Sequence, residues 1–299
     1  MAWEFEGLFD AIPQAEDNLL AEYWQAEETE IRCGSMGYRT RTTKAGTRLE
    51  AEIYPIFGRA KEKELRKKKK NETPDAVKKI NIRNAKRWLI LRLEENFEYW
   101  KDELFTLTYT VEPEDNKRLE KDFRNFMLRV KRYREKHGLP EVRYVWSYGY
   151  DKLHRMHIHG AMTGGIDRDD LIKLWGKGIV NSSPMQNYGN GAEGAANYLY
   201  EQNEMEKQRG HRVNFHMWRG SKNLKKPKEH KSDCKISNRK VKIIAKSFGA
   251  MAKEILEKIY PGYVLERPVV PRFSDQTDGV YIRCVMRRMP GRGKQNDRR

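Results

Sequence analysis

Two short stretches of this chain hold residues whose types and spacing suit chemistry on a phosphodiester. The first is His154-Arg-Met-His-Ile-His159. In a strand, residues two apart point to the same face, so His157 and His159 project together. Neutral imidazole is a good ligand for divalent transition metals, and it can help hold Mg²⁺ or Mn²⁺ when oxygen donors complete the shell. The second is Asn197-Tyr-Leu-Tyr-Glu-Gln202, where Tyr198 and Gln202 stand at i and i+4 and share one face of a helix. A phenol attacks phosphorus only when it is deprotonated or when a metal polarises the phosphate. The His pair is where such a metal would sit. Each stretch taken alone has a plainer reading: histidines satisfied within a sheet, and tyrosines packing a helix against it.

The neighbouring sequence must supply the elements that position these side chains. Phe105-Thr-Leu-Thr-Tyr-Thr110 alternates with period two and predicts a strand with one buried face. Asp115 to His137 has Leu119, Phe123, Phe126, Met127 and Val130 at helical intervals and is closed by Gly138 and Pro140. Arg143 to Tyr150 and Met156 to Met162 predict two strands joined as a hairpin, ended by Gly164-Gly165. Asp167 can N-cap a helix through Trp175, and Ala192 to Gln208 predicts another, followed by a strand around Val213 to Trp218. This order predicts an α+β fold, an antiparallel sheet with helices on one face.

Outside this core, residues 32–60 suggest short strands interrupted at Tyr54-Pro55, and Ala76 to Tyr99 a basic amphipathic helix or two. A helix is expected from Asn238 to Tyr260 and a strand over Gly279 to Met286, before a basic tail. The expected organisation is an acidic arm (1–31), a basic N-terminal region (32–100), a central unit carrying both chemical stretches (101–218) and a basic C-terminal region (219–299).

The 299 residues carry a net charge of +17, which favours a polyanionic partner through long-range attraction and counterion release. The first 31 residues contain nine acidic side chains and no Lys or Arg, so the basic excess belongs entirely to the rest. Lys61 to Lys70 is dominated by Lys and suggests a phosphate-contacting stretch or a solvated linker. His216 to Pro227 interleaves aromatic and basic groups, which makes Trp218, Arg219, Asn223, Lys225 and Lys226 candidate nucleic-acid contacts. Cys33, Cys234 and Cys284 have no metal-site or disulfide spacing. Without a signal-like start or an apolar span, the expectation is a soluble cytoplasmic protein with no membrane partner. There is no Walker loop, so unwinding of DNA would fall to a host helicase.

The strand Phe105-Thr-Leu-Thr-Tyr109, the His157-Ile-His159 strand and the Tyr198 helix resemble, in order and spacing, the three motifs of HUH endonucleases. The resemblance is to the rolling-circle replication initiators (Rep proteins) of plasmids, phages and integrative elements of Gram-positive bacteria, and it is clearest over residues 104–203. Leu174-Trp-Gly-Lys-Gly178, Glu193 to Leu199 and Ser221 to Pro227 are similar to that group as well. The resemblance implies a ferredoxin-like or RRM-like core and a site-specific nuclease working on single-stranded or cruciform origin DNA. It implies His157 and His159 as ligands of Mg²⁺ or Mn²⁺ and Tyr198 as the nucleophile that becomes joined to a 5′ phosphate, leaving a 3′ hydroxyl to prime synthesis. Thr106 and Thr108 fall in the first motif, as support. Two positions depart from the pattern: Glu201 stands where a Lys is frequent, and Ser147 and Tyr148 stand where a strand Glu often donates to the metal. The third ligand is then Gln202, Glu201 or His154. Tyr200 keeps a two-tyrosine mechanism open, although i and i+2 on a helix face apart. A relaxase or transposase would share the chemistry, and a catalytically silent DNA-binding protein would share the scaffold.

Overall fold

In chain order the elements are β1 (Gly37–Ala45), β2 (Arg48–Ile56), α1 (Pro74–Asn96), β3 (Glu103–Thr108), α2 (Asn116–Lys136), β4 (Tyr144–Tyr150), β5 (Met156–Met162), α3 (Arg168–Trp175), β6 (Val180–Pro184), α4 (193–199), β7 (Arg219–Gly220), β8 (Lys228–Ser232), α5 (Asn238–Lys246), α6 (Ala252–Ile259), β9 (Tyr263–Leu265), β10 (Arg272–Ser274) and β11 (Gly279–Arg288). They come from a computed structural model that describes residues 37–59, 61–63, 74–150, 155–187, 191–199, 218–274 and 279–289. The acidic arm, most of the Lys61–Lys70 run, the expected hairpin turn at 151–154, the helix beyond 199, the strand from Val213 and the basic tail lie outside the described residues. The chain divides into two units, Ala85–Pro227 and Met1–Asn84 with Lys228–Arg299.

In the unit formed by Ala85–Pro227, β3-α2-β4-β5-α3-β6 build an antiparallel sheet in the order β6-β3-β5-β4-β7. Without the edge strand β7 this is the ferredoxin-like β-α-β-β-α-β arrangement. The caps read from sequence are present. The Asp115 side chain accepts from Arg118 N–H at the start of α2, the Asp167 side chain accepts from Asp169 N–H before α3, and α3 ends at Gly176 in the left-handed region. The two helices pack Phe123, Phe126, Leu171 and Trp175 onto Phe105, Trp146 and Ile158 of the sheet.

The expectation of helices on one face is corrected, because the opposite face is covered too. There α4 and the Ala85–Asn96 part of α1 bring Leu89, Leu93, Ala196 and Leu199 against Val145 and Ala161. The central strand β5 is consequently buried on both faces. The alternation of histidines with apolar residues had made it read as half-exposed. The edge strand β6 was not foreseen, since its Val-Asn-Ser-Ser-Pro sequence shows no apolar period, yet it pairs with β3 from Leu107–Val180 to Glu103–Pro184.

In the other unit, the antiparallel sheet runs β10-β11-β2-β1-β8, with β9 also on β11. The N- and C-terminal regions are therefore one sheet: β2 pairs with β11 and β1 with β8. Pro55 does not interrupt β2. It pairs with Tyr38 but lies beyond the last β2–β11 pair, Ile53 with Ile282, so no ladder on that side needs its missing N–H. One face packs Leu49, Ile53, Ile282 and Met286 against Val241, Ile244 and Leu256 of α5 and α6. The other buries Arg41, Arg48, Glu50 and Glu52, which is tolerable because Arg41 pairs with Glu52 and Arg48 with Glu50. The single helix expected over Asn238–Tyr260 is two helices. Phe248 and Gly249 break it in the left-handed region, and a Cβ on Gly249 would come within 1.8 Å of the Val269 carbonyl oxygen.

Candidate active site

Residues 157, 159 and 161 of β5 share one sheet face by strand periodicity, and Ala161 packs into the cluster under α1 and α4. His157 and His159 therefore lie on the α4 side. Their ring centroids are 5.3 Å apart, and His159 is fully buried. The flanking strands present short side chains at these positions. Thr106 and Ser147 sit opposite His159, and Thr108 and Gly149 opposite His157. The chain can come this close because residue 160 is glycine: a Cβ there would meet the Val145 carbonyl oxygen at 2.2 Å and the Phe105 ring at 2.7 Å.

Helix α4 is set down by polar anchors and small residues. Ala192 N–H donates to the Glu94 carboxylate at 3.0 Å, and Gly191 N–H to the Asn187 side-chain oxygen at 3.1 Å. Ala192, Ala196 and Leu199 are buried, so the helix lies close against the sheet. Tyr198 is carried beside the imidazoles, 42% exposed, with its ring centroid 5.8 Å from that of His159. Its hydroxyl is 3.4 Å from Thr106 Oγ1, a contact that sequence reasoning missed when it gave Thr106 only a supporting place. Thr108 differs from Thr106. Its hydroxyl both donates to the Ile179 carbonyl and accepts from Ile179 N–H, tying down the segment after α3.

Burial, and after it the neighbouring His157, push the His159 imidazole down to about 3, with the Leu199 backbone offsetting part of the effect. His159 is thus neutral across the physiological range. Neither of its ring nitrogens finds a hydrogen-bond partner of acceptable geometry, and a buried polar group left so costs about 1–3 kcal/mol. A metal accepting one lone pair would relieve that cost. His157 Nδ1 lies 3.5 Å from the Arg155 carbonyl, the outer limit of a hydrogen bond. Such a contact favours the tautomer whose Nε2 can ligate. These features fit a divalent cation held by two imidazoles. Among the described residues no group of three His, Cys, Asp or Glu could complete such a site. The candidates Gln202, Glu201 and His154, and the second tyrosine Tyr200, lie outside the described residues. On β4, Ser147 is the residue on the histidine face, while Tyr148 packs on the α2/α3 side.

The five candidate nucleic-acid contacts separate into two kinds. The Trp218 indole donates to the Ala85 carbonyl at 3.0 Å, and Asn223 donates to the Val142 carbonyl at 3.1 Å. Arg219 pairs with Glu120 at 2.8 Å and lies 5.4 Å above the Trp146 ring. These three are engaged by their own chain. Lys225 and Lys226 have exposed side chains, on a backbone that Asn96 and Arg92 hold through residue 225.

An antiparallel ferredoxin-like sheet with a buried, neutral imidazole beside an exposed tyrosine defines the class of site. Residues 102–258, just over half of the chain, match the replication-associated protein family of the ORF2 type, and the chain belongs to that family. The matched segment includes His157, His159 and Tyr198 and runs on through α5. No curated protein and no solved structure gives a match. Membership makes this a DNA-replication protein and supports a replication initiator that contacts DNA. Among the described residues no helix is long and apolar enough to cross a membrane.

Proposed function

We propose that the protein is a rolling-circle replication initiator of the HUH kind, which nicks and rejoins one DNA strand at an origin. The observation that carries this reading is the Tyr198 ring lying 5.8 Å from a buried imidazole whose two nitrogens have no partner, with a second imidazole 5.3 Å further on. His157 and His159 would hold Mg²⁺ or Mn²⁺, with Gln202, Glu201 or His154 as a further donor. When bound, the metal supplies polarisation of the scissile phosphate.

In the reaction proposed, the Tyr198 oxygen bonds to phosphorus as its proton leaves, and the P–O3′ bond breaks. The DNA 5′ phosphate stays on the tyrosine, and the released 3′ oxygen takes up a proton to become the primer hydroxyl. Rejoining is the reverse attack by a 3′ hydroxyl. Thr106, within reach of the Tyr198 hydroxyl, holds the phenol over the imidazoles. Lys225 and Lys226 would neutralise phosphates of the bound strand. Unwinding is left to a helicase of the host, in the cytoplasm.

The test is incubation with Mn²⁺ or Mg²⁺ and single-stranded DNA from the replicon that carries the gene, followed by denaturing gels. A strand covalently attached to protein is expected for the wild type and for Tyr200→Phe. It should be absent for Tyr198→Phe and for the double variant His157→Ala/His159→Ala. Binding without cleavage of any segment, with either metal, would make a silent DNA-binding protein the better reading. Retention of the adduct in Tyr198→Phe would move the nucleophile elsewhere.

A further inference from the structure

Lysines on most helix surfaces here are balanced by an acid one turn away. Lys101 pairs with Glu98, Lys131 with Glu135, Lys173 with Asp170 and Lys258 with Glu254. Helix α5 breaks that habit. It buries Val241, Ile244 and Ala245 and turns Arg239, Lys240, Lys242 and Lys246 outward, with no acidic residue anywhere along Asn238–Lys246. None of these four cations forms an ion pair within the described residues. Arg239, Lys242 and Lys246 stand at i, i+3 and i+7, one stripe about 10 Å long. The unpaired charge is thus concentrated on a single rigid, solvent-facing surface.

We propose that this face of α5 is a second DNA-contacting surface, which grips the phosphate backbone of duplex DNA. It lies in the unit that holds neither His157, His159 nor Tyr198. Its side chains suit phosphates and not bases. The stripe has no aromatic residue on which an unstacked base could lie, so it lacks what single-strand binding requires. Regularly spaced cations on a helix neutralise phosphates and fix orientation without reading sequence. Such a surface would hold the protein on the origin duplex whether or not a strand is being cut. The inference rests on the role in DNA replication and stands apart from the tyrosine chemistry.

The experiment compares wild-type protein with Arg239→Ala/Lys242→Ala/Lys246→Ala, measuring anisotropy of a labelled duplex and of the corresponding single strand across a salt series. Alanine is the best helix former, so α5 should persist in the variant, and an unchanged melting temperature confirms it. For the duplex, affinity at low salt should fall roughly tenfold or more, and the log–log salt slope should become shallower by about 2 to 3, as loss of three phosphate contacts requires. Single-strand binding and cleavage should be unchanged. Equal duplex affinity and slope in the two proteins would overturn the proposal, as would a loss confined to the single strand. Deletion of residues 1–31 supplies the remaining arm. If duplex binding tightens on deletion while the triple substitution has no effect, the stripe serves the chain's own acidic segment, and the proposal fails.

Discussion

The two faces of the ferredoxin-like sheet are built on opposite principles. On the α2/α3 face, large aromatic rings fill the space: Phe123 stacks on Trp146 with centroids 4.2 Å apart, and Phe126 meets Trp175 edge-on at 5.6 Å. Polar atoms there are matched, as where the Trp175 indole donates to the Thr108 carbonyl at 2.8 Å. The α1/α4 face uses Ala161, Ala192 and Ala196 and places on it an imidazole with two unsatisfied nitrogens. One face holds the unit together. The other keeps donors unpaired where a ligand could use them. Stability and chemistry should therefore respond to mutation separately.

The largest expected effects make that separation direct. Trp175→Ala should cost about 3–5 kcal/mol of stability by opening a cavity in the aromatic face, measured by chemical denaturation. His159→Leu should leave the stability of the metal-free protein equal or higher, because an unsatisfied buried group is replaced by an apolar one of similar size, while abolishing strand cleavage and metal binding. A large loss of stability in His159→Leu would show that the imidazole is a structural member of the core.

Acidification sharpens the same contrast. The His159 imidazole ionises at 6.5 when unperturbed and at about 3 in the fold. Above pH 6.5 neither state is protonated there, and stability is full. Between 6.5 and 3 the unfolded chain takes a proton that the native site refuses, so stability falls as pH falls, by up to about 1.4 kcal/mol per pH unit. Denaturation curves taken across this window should be steeper in pH for the wild type than for His159→Leu. Parallel curves would mean that the folded site admits a proton.

How much of this was legible depended on the range of the interaction. The strands and helices from Glu103 to Trp175 follow from local periodicity, and the Asp115 and Asp167 caps from local hydrogen bonding. The shared face of His157 and His159 follows from strand geometry alone. Long-range facts were not legible. The pairing of β2 with β11 joins segments more than two hundred residues apart, and their buried face carries Arg48 and Glu50, which read as surface. The break at Phe248-Gly249 hid within a pattern whose apolar spacing stays helical. The partner of Thr106 is 92 residues away on another element, so a two-residue alternation in β3 could indicate its face but not its role.

That contact yields a smaller effect. Thr106→Val should lower the rate of cleavage by roughly tenfold, the order of one neutral hydrogen bond lost in the transition state, without changing metal affinity or single-strand affinity. Thr106→Ser should recover most of the rate. Because Thr106 acts through Tyr198, the pH dependence of cleavage should shift with Val and return with Ser. An unshifted profile with a weaker KM would instead place Thr106 in DNA contact.

The smallest effects test where the packed face ends and the DNA-binding surface begins. Arg219 and Lys226 are both basic and lie seven residues apart, yet they have different surroundings. Arg219 covers Trp146 and pairs with Glu120, whereas the Lys226 side chain is exposed. A half-exposed ion pair with a ring contact is worth about 1 kcal/mol or less, so Arg219→Ala should lower stability by about that amount and leave the salt dependence of single-strand binding alone. Lys226→Ala should do the reverse: unchanged melting, and a salt slope shallower by about 1, as for one phosphate contact removed. If Arg219→Ala changes the slope as well, the guanidinium leaves Glu120 when DNA binds, and the aromatic face contributes to recognition.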